Sequence, residues 1–211
     1  LQIHEVPTGT PVLDWAVPNE WNVREAYIAD LKGNRIVDFK NHSLHVLNYS
    51  TPVKKRVSLA ELKEHLFSLP DHPDWIPYRT SYYKEAWGFC VAHHQLQSLS
   101  DAEYDVCIDA TIGPGSLTYG EFFLPGETHE EVLFSCHACH PSLANDNLSG
   151  VTLVAQLAEI LSKKKRRLSY RFLFIPGTIG SIAWLSRNEA ILPRIVAGLV
   201  VACVGDNGTF H

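Results

Sequence analysis

The chain has 211 residues, of which 45% are hydrophobic and 19% charged, which suits a globular protein of one domain, or one domain carrying an insertion. Its net charge of -5 comes without a basic block large enough for a nucleic-acid footprint, and no segment approaches the about 18 apolar residues needed to cross a bilayer. Five cysteines, an odd number with no secretion signal, point to a reducing compartment, hence the cytoplasm, and to core or metal roles rather than disulfides. Leu1 opens a chain without methionine, so the sequence reads as part of a longer product.

Residues 1 to 21 are rich in turn formers (Pro7, Gly9, Pro11, Pro18) and are predicted irregular, with Trp15 and Trp21 anchoring them to a core. From Val23 to about Gly126 short strands dominate. Ala26–Leu31 and Arg35–Phe39 flank Lys32-Gly33-Asn34 as a hairpin, because Gly33 can take the positive φ of a tight turn. His45–Tyr49 alternates like a strand. Ser58–Leu66 reads as a short helix with Ser58 as N-cap and Glu61 behind it. Tyr104–Ile112 and Leu117–Leu124 read as further strands.

The pattern changes near Glu130. Val132–Ser135 is a buried strand, Leu148–Leu161 an amphipathic helix, Arg171–Ile175 a strand, Ile179–Leu185 a helix and Ile195–Cys203 a long apolar strand. The basic run Lys163–Arg167 suits the carboxyl end of the preceding helix. This alternation predicts an α/β core with a mostly parallel sheet and helices on both faces. Residues 1–22 and 127–211 would form that core, and 23–126 an inserted β-rich domain. The three strands should be neighbours and buried.

Open α/β sheets gather ligands outside the carboxyl ends of their strands. The first such end reads Ser135-Cys136-His137-Ala138-Cys139-His140-Pro141, followed by Asn145-Asp146-Asn147; the second reads Pro176-Gly177-Thr178, and the third Val204-Gly205-Asp206-Asn207. Imidazoles and carboxylates on one sheet edge suit zinc in hydrolytic sites. Each residue alone has a plainer reading: His137 bonded to backbone, Asp146 a helix cap, Asp206 a turn residue. Ser149 is the better cap, which leaves Asp146 free. Cys136, His137, Cys139 and His140 offer an alternative, structural zinc cluster, although neighbouring strand residues point to opposite faces.

The run from His137 to Gly150, HACHPSLANDNLSG, resembles the hallmark segment of the bacterial DUF4910/DUF2172 aminopeptidase-like proteins, related to the M28 zinc aminopeptidases of phosphorylase/hydrolase-like fold. Gly9-Thr10, Asp14-Trp15, Pro18–Trp21, Ile76–Tyr78 to Trp87–Cys90 and Thr178–Ile182 match as well, so the resemblance covers nearly the whole chain. It implies zinc, one ion or two, with His137 and Asp146 as ligands, His140 as ligand or neighbour, and Asp206 as a further carboxylate. The M28 relatives carry a Glu-Glu pair at the second strand end, the first glutamate acting as general base. The family resembled here keeps that first glutamate, whereas this chain reads Gly177-Thr178. Glycine has no side chain to accept a proton, so impaired activity is expected. A carboxylate from the β-rich region, such as Glu20 or Glu121, could in principle take its place.

The expected function is metal-dependent hydrolysis of peptide or amide bonds in a peptide or amino-acid-like small substrate, without nucleic acid or membrane. Assembly of like chains is left open. The alternatives are a non-catalytic relative that binds metal or ligand, and an interaction protein using its β-rich insertion.

Overall fold

The computed structural model describes residues 1–209. In chain order the strands are β1 (Gln2–Pro7), β2 (Pro11–Val12), β3 (Trp15–Ala16), β4 (Glu20–Ala29), β5 (Arg35–Asp38), β6 (Val53–Ser58), β7 (Leu66–Phe67), β8 (Phe89–Cys90), β9 (Glu103–Gly113), β10 (Ser116–Leu124), β11 (Glu131–His137), β12 (Ser169–Ile175) and β13 (Ile195–Val200). The α-helices are α1 (Leu59–Glu64), α2 (His93–Ser98), α3 (Leu148–Ser162) and α4 (Ile179–Arg187). The chain divides into two compact units, Leu1–Asn19 with the chain from Pro114 onward, and Glu20–Gly113.

The first unit is built on a five-stranded sheet in the order β1-β10-β12-β11-β13. Along β12, Tyr170, Phe172 and Phe174 pack with Val154 and Ala158 of α3, while Leu173 and Ile175 pack with Ala183 and Trp184 of α4. Successive strand side chains point to opposite faces, so the two helices cover opposite sides. The sheet is mixed rather than mostly parallel. β11 pairs in parallel with both β12 and β13, but β10 is antiparallel to β12 and to β1. Parallel pairing needs a long crossover, which α3 and α4 supply; β10 instead enters from the other unit and meets β12 head to tail.

The predicted neighbours β12, β11 and β13 do lie side by side. β13, however, is largely exposed rather than buried, with Leu199 and Val200 at 57% and 78%. It has only β11 beside it among the described residues, so it forms an edge. Residues 2–7, predicted irregular, are a strand; only Val6 in it is buried, which left no alternation to read.

The second unit carries an antiparallel sheet, β5-β4-β9-β6. Along β9, Tyr104, Val106, Ile108 and Ala110 face a core completed by Ile28, Val57, Leu62 and Phe89. On the opposite face Asp105 pairs with Arg56 of β6 at 2.8 Å, its direct cross-strand partner. The hairpin forms as predicted, with Gly33 at φ +87° and the Asp30 carboxylate accepting from the Lys32 and Asn34 amides. Ser58 caps α1 through the Glu61 amide. His45–Tyr49 is not a strand. It begins in a 3-10 turn, and Tyr49 at φ +66° ends the extension.

The division falls at Gly113/Pro114 and Asn19/Glu20, not at 126/127 and 22/23. β9 and β10 are joined only by Pro114-Gly115, yet they hydrogen-bond into different sheets. No helix among the described residues is long and apolar enough to cross a membrane.

Candidate metal centre

The parallel strands bring their carboxyl ends to one sheet edge. His137 at the end of β11 is in register with Ile175 at the end of β12, and Ser135 with Val200 at the end of β13. The chain leaves β11 for β12 on one side and returns to β13 on the other, so the winding reverses at β11. Such reversals open the crevice in which α/β sheets bind ligands.

Asp146 lies across this edge between two imidazoles. His137 Nε2 is 2.6 Å from Oδ1, and His140 Nε2 is 3.3 Å from Oδ2. Burial opposes ionisation of Asp146, but hydrogen bonds from His137 and His140 outweigh it and hold the carboxyl below its usual range. The donor atoms of all three residues lie within 4.8 Å of one another. His140 Nδ1 is 3.0 Å from the Pro141 carbonyl, which can only accept, so Nδ1 carries the hydrogen. Nε2, the other ring nitrogen, then faces a carboxylate oxygen. Two acceptors in that position need a second proton or a cation between them. Their 3.3 Å separation is about the span of two zinc bonds of about 2.0–2.1 Å at a tetrahedral angle. The residues present therefore fit a zinc-sized divalent ion, with His137 opening slightly from Asp146.

Two asparagines build the frame. The buried Asn147 amide donates to the Val201 and His137 carbonyls at 2.9 and 3.3 Å and accepts from the Cys203 amide at 3.1 Å. Asn145 donates to Asp206 Oδ2 at 2.6 Å and accepts from the Gly205 amide at 2.7 Å. Asp146, between them, is thereby fixed against the segment that follows β13. Ser149 is not the helix cap expected of it; Asn147 occupies that position. The Ser149 hydroxyl instead donates to the Asn145 carbonyl and accepts from the Val204 amide at 3.1 Å. Gly150 makes room for this frame, since a Cβ there would collide with the Asn147 amide and the Val201 carbonyl. Gly150→Ala should cost about 1–3 kcal/mol through overpacking, read by urea denaturation.

Asp206 does not join the three-residue group. Its two oxygens are taken by Asn145 and by the Gly208 amide at 2.7 Å. Gly177 lies two residues past the end of β12, where an added Cβ would sit 3.3 Å from Cys139 Sγ. Thr178 takes φ +57° and ψ -65°, and the Ile179 amide donates to the Gly177 carbonyl at 2.6 Å. This γ-turn is strained for a β-branched residue. Glu121 is no spare base. It accepts from Arg171 and from the Trp184 indole at 2.9 Å in the core beneath the sheet. Glu20 lies in the other unit. The four-ligand cysteine–histidine cluster does not form either. Cys136 is fully buried on the α3 side, and burial pushes its thiol up to about 12.

A solved structure from Clostridium acetobutylicum, described as that of a "putative peptidase", superposes with a TM-score of 0.96 at 54% identity, over 98% of this chain and 49% of that one. A curated C. acetobutylicum protein, named for polysaccharide biosynthesis and an aminopeptidase-like domain, is 54% identical over 208 residues, 99% of this chain and 48% of its own length. The chain thus spans about half the length of the relatives it matches. A zinc aminopeptidase from Bacillus subtilis shares the fold at a TM-score of 0.58 and 13% identity, over 93% of this chain and 57% of that one. An M28 peptidase precursor from Shewanella amazonensis does so at 0.55 and 11%, over 93% and 60%. The family model described as domain of unknown function DUF4910 matches residues 1–211, and the chain belongs to that family, whose fold here is that of the M28 peptidases.

Proposed function

We propose that this chain is the metal-binding part of an aminopeptidase-like protein that holds zinc on His137, His140 and Asp146 and acts weakly, if at all, on peptide or amide bonds. The observation that carries this reading is the seating of the Asp146 carboxylate between two imidazoles, with His137 Nε2 on one oxygen and His140 Nε2 on the other. Two imidazoles and a carboxylate are a donor set zinc takes in hydrolytic sites, where it supplies Lewis acidity to a carbonyl and acidifies water. Asn145 and Asn147 orient Asp146, and Asp206 acts through Asn145. The fold shared with zinc aminopeptidases is in keeping with a small substrate carrying a free amine. Five unpaired thiols suit a reducing compartment.

Gly177 favours a second reading, in which a relative without a base binds metal and an amino-acid-like ligand but does not turn it over. Turnover of an aminoacyl chromogenic substrate separates the two. Zinc content tests both. The full-length protein should carry stoichiometric zinc, and His137→Ala combined with His140→Ala should abolish it. Unchanged zinc in the double variant removes the site assigned here.

A further inference from the structure

Three consecutive backbone amides after β13 reach back to the residues around Asp146. The Cys203 amide donates to Asn147 Oδ1 at 3.1 Å, the Val204 amide to Ser149 Oγ at 3.1 Å and the Gly205 amide to Asn145 Oδ1 at 2.7 Å. Of the three side chains, Ser149 is the one that joins the two segments through a single atom. Its hydroxyl accepts from Val204 and donates to the Asn145 carbonyl at 2.6 Å. One hydrogen and two lone pairs on the same oxygen allow both.

The carbonyl that Ser149 holds belongs to the peptide group entering Asp146. That group is planar, so fixing its oxygen fixes the Asp146 nitrogen and the direction in which the chain reaches the Asp146 Cα. Ser149 itself sits in the first turn of α3, so the bond ties the loop to a regular element of 15 residues. The contact with the segment after β13 is close: a Cβ at Gly205 would lie 3.0 Å from both Ser149 Cβ and Asn145 Oδ1. Thr152, also on α3, makes a similar bond, Oγ1 donating to the Leu148 carbonyl at 2.8 Å, but that bond stays within the helix.

We propose that Ser149 is a positioning residue of the metal centre, its hydroxyl setting the orientation of Asp146 toward His137 and His140 and thereby the affinity of the site for zinc. This rests on the metal reading above and deepens it. Without the hydroxyl, the Val204 amide loses its acceptor and the peptide group entering Asp146 loses its donor. Ordering of the carboxylate then falls to the ion, and affinity drops. Side chains that orient a metal ligand typically contribute about 10–100-fold to metal affinity.

The test is zinc affinity of the full-length protein, measured by competition with a chelator. Cobalt(II) visible spectra are the second readout, and urea unfolding of the metal-free protein is the reference. Ser149→Ala should bind zinc about 10–100-fold more weakly than the parent and shift the cobalt d–d bands, which report the ligand arrangement. Thr152→Ala removes a similar bond from the same helix and should leave affinity and spectrum unchanged, whatever it does to unfolding. Gly205→Ala should weaken zinc as Ser149→Ala does, because its Cβ presses on Ser149 and Asn145 while every hydrogen-bonding group remains. That variant carries the test if Ser149→Ala fails to fold. Parent-like affinity and spectrum in Ser149→Ala, or in folded Gly205→Ala, overturn the positioning role and leave the histidine–aspartate centre standing. Equal losses in Ser149→Ala and Thr152→Ala overturn it as well, since a general loosening of α3 then accounts for both. A parent that binds no zinc overturns the metal reading and this role with it.

Discussion

Replacing Arg171 with methionine should lower the free energy of unfolding by about 3–5 kcal/mol. Arg171 is 8% exposed in the middle of the sheet and donates through Nε and Nη2 to both oxygens of Glu131, at 2.8 and 3.1 Å. Its Nη1 reaches Glu121, whose other oxygen accepts the Trp184 indole N–H at 2.9 Å. Burial works against the guanidinium charge, but the Glu131 and Glu121 carboxylates outweigh it and hold the pKa above its ordinary value. Removing the cation leaves two carboxylates in the core with no opposite charge, which costs more than the lost contacts. The cost therefore belongs to the stranded charges. Arg171→Met combined with Glu121→Gln and Glu131→Gln should recover most of it. Neutral amides remove the charge, and the amide oxygen placed at position 121 can still accept from Trp184. Urea denaturation of the single and triple variants decides the matter. Equal destabilisation of the two would show that packing, not unpaired charge, sets the cost.

Gly177→Glu should raise turnover of an aminoacyl substrate by about 10²–10⁴-fold in the zinc-loaded, full-length protein. Gly177 lies two residues past the end of β12, whose last residue Ile175 is in register with His137, and its φ is not in the left-handed range, so an L side chain is conformationally admissible. The nearest obstacle to a Cβ is the Cys139 thiol at 3.3 Å, the end of an exposed side chain that can give way by a few tenths of an ångström. A carboxylate there would supply the proton acceptor that the site lacks, since Glu121 is committed to Arg171 and Trp184. Thr178 cannot serve, because its hydroxyl is no base near neutral pH. Gly177→Gln, nearly the same shape without the base, should gain nothing. If the parent already turns over at ordinary enzyme rates, about 10 s⁻¹, and glutamate adds nothing, the base position is elsewhere.

Periodicity and chemistry near in sequence were legible without coordinates. The helix 148–162 and the strands 131–137 and 169–175 follow from apolar spacing, because burial on one or both faces writes a period into the chain. His137, His140 and Asp146 lie within ten positions of one another, and a loop that short at a strand end leaves them little choice but to meet. Pairing direction was not legible. β10 alternates much as an antiparallel insertion strand should, and only its hydrogen bonds to β1 and β12 assign it to the sheet beneath the site. The Glu121–Arg171–Glu131 network joins three strands up to 50 residues apart, and a lone charge in an apolar run carries no mark of its partner. Asp206 shows the same limit at the site. Asp206 has the ligand's chemistry, yet its oxygens are held by Asn145 and the Gly208 amide. The reason is the bonding of the Asn147 amide to the backbone at 201 and 203, which sets the rotation of the chain as it leaves β13. A side chain 54 and 56 residues distant in sequence decides it, and only the folded chain brings that side chain there.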